Sequence, residues 1–434
     1  MSASKSIAVV GSGFLGLTIA LRLSQQGHEV TLFEASEEIG GLASVWKIGE
    51  FIWDRHYHVT LLSDSFTRKI VSELGLEDEF CWVETKTGFF SGGRLYSMSN
   101  SLEFLKFPPL GLIDKFRLGA TIFYASRVTD WKALEKVSVE DWLTRLSGKS
   151  VFEKIWKPLL RAKLGEAYRE SSAAFIWATI QRMYAARRSG LKKEMFGYVR
   201  GGYAPILKRF SERLAESGVS INLSSPIKAI SNENDRLIVQ SALGSAEFDD
   251  VILTISPKAA ARVLKELRPE EATRLEALEY QGIVCASMLS KTPISEFYVT
   301  NITDESPFTG IIEMTALVSK EEFDGNSLVY LPKYCSSDDS LFAKSDEEIR
   351  EDFLSALEKM YSHFNRSDVL DFKISRVREV FPLPSIGYSE RLPDWDRLGE
   401  GVHLVNSARI TNGTLNINET IQLAENFAAK FESK

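Results

Sequence analysis

The stretch Gly11-Ser12-Gly13-Phe14-Leu15-Gly16 is where residue type and spacing most directly dictate chemistry. Gly11 permits a tight turn. Gly13 leaves the backbone bare, so a pyrophosphate can approach it, and Gly16 lets a following helix pack closely on a strand. The helix start then offers phosphate its partial positive charge and unpaired N–H groups. Glu34, about 20 residues on, is an acid able to accept hydrogen bonds from ribose hydroxyls, and its charge would repel a 2′-phosphate. Three glycines alone are weak evidence. The order of elements strengthens them: Ile7–Val10 reads as a strand, Leu17–Gln26 as a helix stopped at Gly27, and Glu29–Phe33 as a second strand ending at Glu34. Together they predict a dinucleotide-binding βαβ unit.

Two of the five histidines stand in Phe51-Ile52-Trp53-Asp54-Arg55-His56-Tyr57-His58-Val59-Thr60. As a strand, this segment puts His56 and His58 on one side, either against a ligand or as a buried, hydrogen-bonded pair. No third ligand is signalled, so no metal is expected. His28, His363 and His403 read as surface or turn residues.

Directly after Glu34 comes Ala35-Ser36-Glu37-Glu38-Ile39-Gly40-Gly41-Leu42-Ala43-Ser44. This resembles the Glu-to-Gly-Gly extension of the flavin amine oxidase superfamily, which includes amine oxidases, protoporphyrinogen oxidases and phytoene desaturases, with UDP-galactopyranose mutase as a near relative. Leu42 departs from the amine oxidases, which commonly carry Arg there, and looks more like the desaturase and protoporphyrinogen oxidase branches. Trp156-Lys157-Pro158-Leu159-Leu160, Gly197–Tyr203 and Asp249–Pro257 are similar to further segments of that superfamily. The resemblance implies FAD, held by the turn residues Gly11, Gly13, Phe14, Leu15 and Gly16 and by Glu34 and Ala35. It implies that Gly40, Gly41 and Leu42 lie along the pyrophosphate and ribityl chain, and that Ile227 meets the adenine. At the C-terminal end Arg409, Asn416 and Ile417 take the place of a Gly-Asp or Gly-Arg motif that this chain lacks. Covalent flavin in amine oxidases uses a cysteine shortly before that motif; Ser385–Ile417 has none, so binding is expected to be non-covalent. A lysine near flavin N5 is common in amine oxidases, and Lys333 and Lys291 are the candidates. The implied activity is oxidation of an organic substrate by hydride transfer to N5. The alternative is a non-redox mutase acting on a sugar nucleotide, whose diphosphate would want arginines such as Arg161, Arg182, Arg187 and Arg188. No second nucleotide signature names an electron acceptor.

The elements that must position these residues alternate along the 434-residue chain. The expected class is α/β: a Rossmann-like FAD domain assembled from residues 1–76, 197–257 and 395–434, with an inserted substrate domain from 77–196 and 258–394. The first insertion, about Glu77–Glu194, reads as mostly helical, and the second carries strand-like runs at Ile283–Leu289, Phe308–Met314, Leu328–Leu331 and Lys373–Phe381. Asn416 and Glu419 have capping-box spacing before a final amphipathic helix. A net charge of −7 argues against a nucleic-acid partner. Cys81, Cys285 and Cys335 are far apart, which suits a reducing cytoplasm. The short polar N-terminus leaves no room for a signal peptide, and no run of about 18 apolar residues predicts a membrane span. The aromatic residues of the helical block, among them Phe104, Phe107, Phe116, Phe123, Trp131, Trp142, Trp156, Phe175 and Trp177, fit a domain core or a tunnel for a largely apolar substrate. The apolar block 102–123, studded with Lys106, Lys115 and Arg117, fits a core, such a tunnel, or a peripheral membrane dock.

Overall fold

The computed structural model describes residues 4–99, 101–188, 195–392, 398–399, 401–411 and 414–432. Its first sheet is parallel throughout. The strands are β1 (Ser6–Val10), β2 (Glu29–Phe33), β3 (Ser220–Asn222), β4 (Asp250–Leu253) and β5 (Val402–Leu404), in the spatial order β3-β2-β1-β4-β5. Strands so placed are covered on both faces, and β1 is accordingly an unbroken apolar run. Ile7 and Val9 pack towards α1 (Phe14–Gln25), α2 (Tyr203–Glu216) and α3 (Ile417–Glu432), through Leu17, Leu21, Ile206, Phe210, Ile421 and Ala424. Ala8 and Val10 face the opposite layer, where a small antiparallel sheet spanning residues 229–248 and the helices Pro257–Leu264 and Pro269–Glu276 close the core.

The second sheet has seven strands, in the order Val369–Pro382, Tyr280–Ser290, Ser327–Ser336, Gly310–Glu313, Val299–Ile302, Thr87–Ser91, Arg94–Ser97. Only Val299–Ile302 and Thr87–Ser91 pair in parallel. All residues of Tyr280–Ser290 are buried. One face packs on the helix Asp346–Met360, which starts at a capping box of Ser345 and Glu348. The other face meets the strand Phe51–Asp54 and the strand Met195–Val199. A helical layer, residues 101–188, lies at one side around Trp142, Phe152, Tyr168 and Leu160.

Three local expectations change. After a short 3-10 turn at Glu77–Glu79, the first insertion runs as the strands Phe80–Glu84, Thr87–Ser91 and Arg94–Ser97, and α-helix begins only at Ser101. The cues are the aromatic and β-branched residues of these runs and the Gly92-Gly93 turn, where both φ angles are positive, as a tight hairpin demands. The C-terminal strand, expected over Val402–Asn406, stops at Leu404, and Ser407–Arg409 forms a short 3-10 turn. His28 and His403 are buried rather than at the surface, and His403 Nε2 lies 2.8 Å from Asp250 Oδ1.

α1 lies so close to the turn before it that a Cβ on Gly16 would sit 1.9 Å from the Gly11 carbonyl oxygen. Gly16→Ala is therefore expected to destabilise the fold by about 1–3 kcal/mol, the ordinary cost of forcing extra volume into a packed interior. A thermal melt with an unchanged midpoint would contradict this contact.

Candidate functional site

Two backbone turns meet at the start of α1. Gly13 is its N-cap, and no side chain caps the first N–H groups. A Cβ on Gly13 would meet nothing within 4 Å, so the missing side chain leaves open space over the helix start. The second turn arrives as Gly40 N–H donates to Ser12 O at 2.9 Å and Gly13 and Gly40 form a parallel bridge. A Cβ on Gly41 would come within 3.2 Å of Gly13 Cα, and φ is positive at both Gly40 and Gly41. Glu34 is fixed beside this pair: its Oε2 accepts from Ser12 N–H at 2.8 Å and from Ser12 Oγ at 2.6 Å, and Oε1 accepts from Ser36 N–H at 2.9 Å. Ser225 N–H donates to Glu34 O, which brings the segment carrying Ile227 alongside; Ala35 is exposed there. Phe14 and Leu15 are buried, Phe14 edge-on to Tyr203 and Phe210, so only their backbone faces the turn. Asn416 Oδ1 accepts from Glu419 N–H and caps α3, whose first residue is Ile417. An uncapped helix start, bare glycine backbone and an anchored acid fit a dinucleotide.

From the Gly40-Gly41 turn the chain passes to the histidine segment. The strand ends at Asp54, and residues 55–59 are irregular, so His56 and His58 enter different surroundings. His56 Nδ1 lies 3.1 Å from Leu42 O and Nε2 lies 3.0 Å from Ser375 Oγ. A carbonyl only accepts, so Nδ1 carries the proton and Nε2 accepts from the serine hydroxyl. Burial pushes the His56 pKa down to about 4, so the ring is a neutral clip between the glycine turn and the seven-stranded sheet. His58 packs against Tyr203 at 4.9 Å between ring centroids and lines a void of about 10 Å³, the size of one water, together with Asp54 and Thr60. Burial likewise pushes its pKa down to about 4.

Between the histidines, Tyr57 reaches the other way. Its hydroxyl is 2.8 Å from that of Tyr334. Lys163 Nζ sits 3.8 Å from the centroid of the Tyr334 ring, and Phe381 packs at 6.0 Å. Here the strand Ser327–Ser336, the helical layer and the histidine segment converge. A cleft of about 770 Å³ reaches Tyr334, bordered by Arg161, Lys258, Tyr280, Gln281 and Lys333.

The sequence as a whole agrees with this geometry. The chain belongs to the flavin containing amine oxidoreductase family, whose model matches residues 16–412. An L-amino-acid oxidase from Siganus canaliculatus is 26% identical over 396 residues, covering 83% of this chain and 71% of that protein. A 15-cis-phytoene desaturase from an Oncidium hybrid cultivar is 22% identical over 410 residues, covering 86% and 68%. A solved structure from Exiguobacterium sp. 255-15, provisionally named a protoporphyrinogen oxidase, superimposes with a TM-score of 0.78 at 19% identity, covering 99% of both chains; that likeness is one of fold.

Other residues singled out in this amine oxidoreductase fall elsewhere. Alternation along Ser327–Ser336 puts Tyr330 and Tyr334 towards the histidine segment and turns Lys333 the other way, with Leu331 and Cys335. Lys333 Nζ donates to Ser306 O at 3.3 Å, and burial lowers its pKa; it is not brought together with His56 or His58. Lys291 is exposed. Arg161 is exposed and paired with Glu166, and Arg182 binds Asp64 at 2.9 Å. The side chains of Arg187 and Arg188 lie outside the described residues. Arg409 stands in the 3-10 turn after β5. Trp142, Phe107, Trp156 and Trp177 fill the helical core rather than a tunnel wall. Tyr334 and Ser375 carried no local motif, and Tyr57 was passed over between the two histidines.

Asp54 closes the site from below. Its Oδ1 accepts from Tyr203 N–H at 2.8 Å, its carbonyl accepts from Tyr330 OH at 2.6 Å, and burial pushes its carboxyl pKa up to about 7. An acid raised in the folded state ionises first in the unfolded chain. Stability is therefore lost as pH climbs from the ordinary carboxylate range to about 7. Asp54→Asn keeps the acceptor for Tyr203 and removes the titration. Its stability relative to wild type should rise between pH 5 and pH 8 by up to about 3 kcal/mol, at 1.36 kcal/mol for each of the roughly two pH units between pH 5 and the folded pKa of about 7. Chemical denaturation at both pH values measures this, and a pH-independent difference would refute it.

Proposed function

We propose that this oxidoreductase binds FAD non-covalently and oxidises a small, largely apolar organic molecule beside the Tyr57–Tyr334 pair. One observation carries this reading: the two glycine turns lie against each other and connect, through Leu42 and His56, to the point where the two sheets and the helical layer meet. Residues 1–76, 197–257 and 395–434 form the proposed FAD domain, and 77–196 with 258–394 the substrate domain.

The proposed roles follow from the chemistry of each group. Backbone N–H groups of Gly13, Phe14, Leu15 and Gly16 take the pyrophosphate. Glu34, already oriented by Ser12 and Ser36, keeps lone pairs for ribose hydroxyls. Gly40, Gly41 and Leu42 line the chain towards the ring, and Ile227 the adenine. Arg409 and the Asn416-capped start of α3 supply positive potential, which favours negative charge on a reduced ring. When bound, FAD would supply two-electron, hydride-accepting chemistry at this place. His56 is a positioning residue, because both of its nitrogens are engaged by protein. Tyr57, Tyr334 and Phe381 offer aromatic faces to an apolar substrate, while the charged border of the cleft suits any polar part left at the mouth. The mutase reading is weaker, since Arg161 and Arg182 are already paired with carboxylates.

The purified protein should be yellow, and acid precipitation should release FAD into the supernatant; colour kept in the pellet would defeat the non-covalent assignment. Glu34→Arg should weaken flavin retention by about 1.5–3 kcal/mol, the worth of a charge-assisted hydrogen bond. Anaerobic mixing with isoprenoid, porphyrin or amine candidates should bleach the flavin. A UDP-sugar that binds only the reduced protein and rearranges without net electron transfer would overturn the redox assignment.

A further inference from the structure

The helix Leu112–Ala125 leaves an apolar face uncovered. Leu112 is 79% exposed, Phe116 78% and Ile113 71%, with Phe123 and Tyr124 each at 50%. At helical spacing these residues share one stripe, along a helix of 14 residues and about 21 Å. With Leu105 they account for six of the thirteen large hydrophobic side chains exposed among the described residues, whereas scattered single exposures are ordinary.

The charges around the stripe are sorted. Lys115 turns inward, is 8% exposed and donates to Leu105 O at 2.7 Å, so it places no charge on the outer face. The exposed charges from residue 103 to residue 127 are Lys106, Arg117 and Arg127, all cations, in a chain of net charge −7; the next exposed acid is Asp130. The two acids of this stretch are half-buried: Glu103 accepts from Ser97 and Ser99, and Asp114 accepts from Ser150. Arg127 Cζ lies 3.9 Å from the centroid of the Phe123 ring, a cation–π contact at the edge of the stripe made by a side chain that stays exposed to an anion.

We infer that this face seats the protein on the surface of an anionic lipid bilayer, with the helix lying in the interface plane. A ridge of separately protruding Leu, Ile and Phe side chains needs a matching groove in a folded partner, whereas acyl chains reshape around it. Cations at the rim then meet lipid phosphates. No described helix is long and apolar enough to cross a membrane, and this contact requires none. The inference concerns the outer face of the helical layer and does not rest on the flavin assignment.

The test is flotation of the purified full chain with vesicles of phosphatidylcholine plus phosphatidylglycerol, and with phosphatidylcholine alone. Wild type should float with the mixed vesicles and lose binding as salt is raised. The double variant Ile113→Glu, Phe116→Glu should lose binding at least about tenfold, as expected for removing two buried apolar side chains. Arg117→Gln with Arg127→Gln should lose the salt-sensitive part and retain the rest. Leu243→Glu, a 69% exposed leucine elsewhere, should bind as wild type does. Unchanged flavin content and melting temperature in each variant separate lost docking from lost fold. Wild type that stays at the bottom of both gradients overturns the proposal. So does light scattering that shows a wild-type dimer split by the double variant, because a second copy would then be the occupant.

Discussion

The fold depends on backbone meeting backbone at the start of α1. A carbonyl of the Gly11 turn sits where a Cβ of residue 16 would be, and the Gly40 turn then lies against Ser12 and Gly13 through a hydrogen bond and a bridge. No side chain separates these three passes of chain. The first N–H groups of the helix, the anchored Glu34 carboxylate and the second glycine turn are consequently held within one small region, oriented before any ligand arrives. Such preorganisation lowers the ordering cost of binding. It also transmits position, because Leu42 directly follows the second turn and its carbonyl holds His56.

From there buried polar groups add to the apolar packing between the histidine segment and the seven-stranded sheet. His56 spans from Leu42 to Ser375, Asp54 joins Tyr203 to Tyr330, and Tyr57 meets Tyr334. A buried hydrogen bond contributes only about 1 kcal/mol net, but an orphaned partner costs more, so these links specify one relative placement better than they strengthen it. Burial keeps the imidazoles neutral at neutral pH and holds Asp54 at the edge of ionisation. Opposite pH limits follow: acid charges the histidines, alkali charges the carboxyl, and either introduces a buried charge that the interior solvates poorly.

What the sequence makes legible is what lies close together in it. The glycine turn, Glu34, Gly40-Gly41 and the Asn416 cap are local patterns, each complete within a few tens of residues. The strands Tyr280–Ser290 and Ser327–Ser336 were readable because burial on both faces makes long apolar runs, and the edge strand Val369–Pro382 because its apolar and polar residues alternate. The strands between Phe80 and Ser97 were hidden by their short length and their place before a long helical block. The convergence point was not legible at all. Tyr57 and Tyr334 are 277 residues apart, and His56 and Ser375 are 319 apart. Lys333 shows the complementary failure: the right residue type at a suitable strand end, turned away by a one-residue step in the alternation that only the pairing register decides.

The helical layer shows why composition under-determines function. Its aromatic residues divide by geometry into two populations that a sequence count merges. Trp142, Phe107, Trp156 and Trp177 pack inward and fill the core, while Phe116 and Phe123 project outward from a single helix. An interior aromatic needs no further partner, and an outward one in a contiguous stripe does. The same layer also contributes Lys163 to the Tyr334 ring at the inner end of the cleft. One side of the layer therefore shapes the proposed reaction site and the other the proposed lipid contact, with a rigid aromatic core between them. Docking would bring the protein to a substrate that partitions into lipid without altering the reacting groups, which lie on the other side of that core.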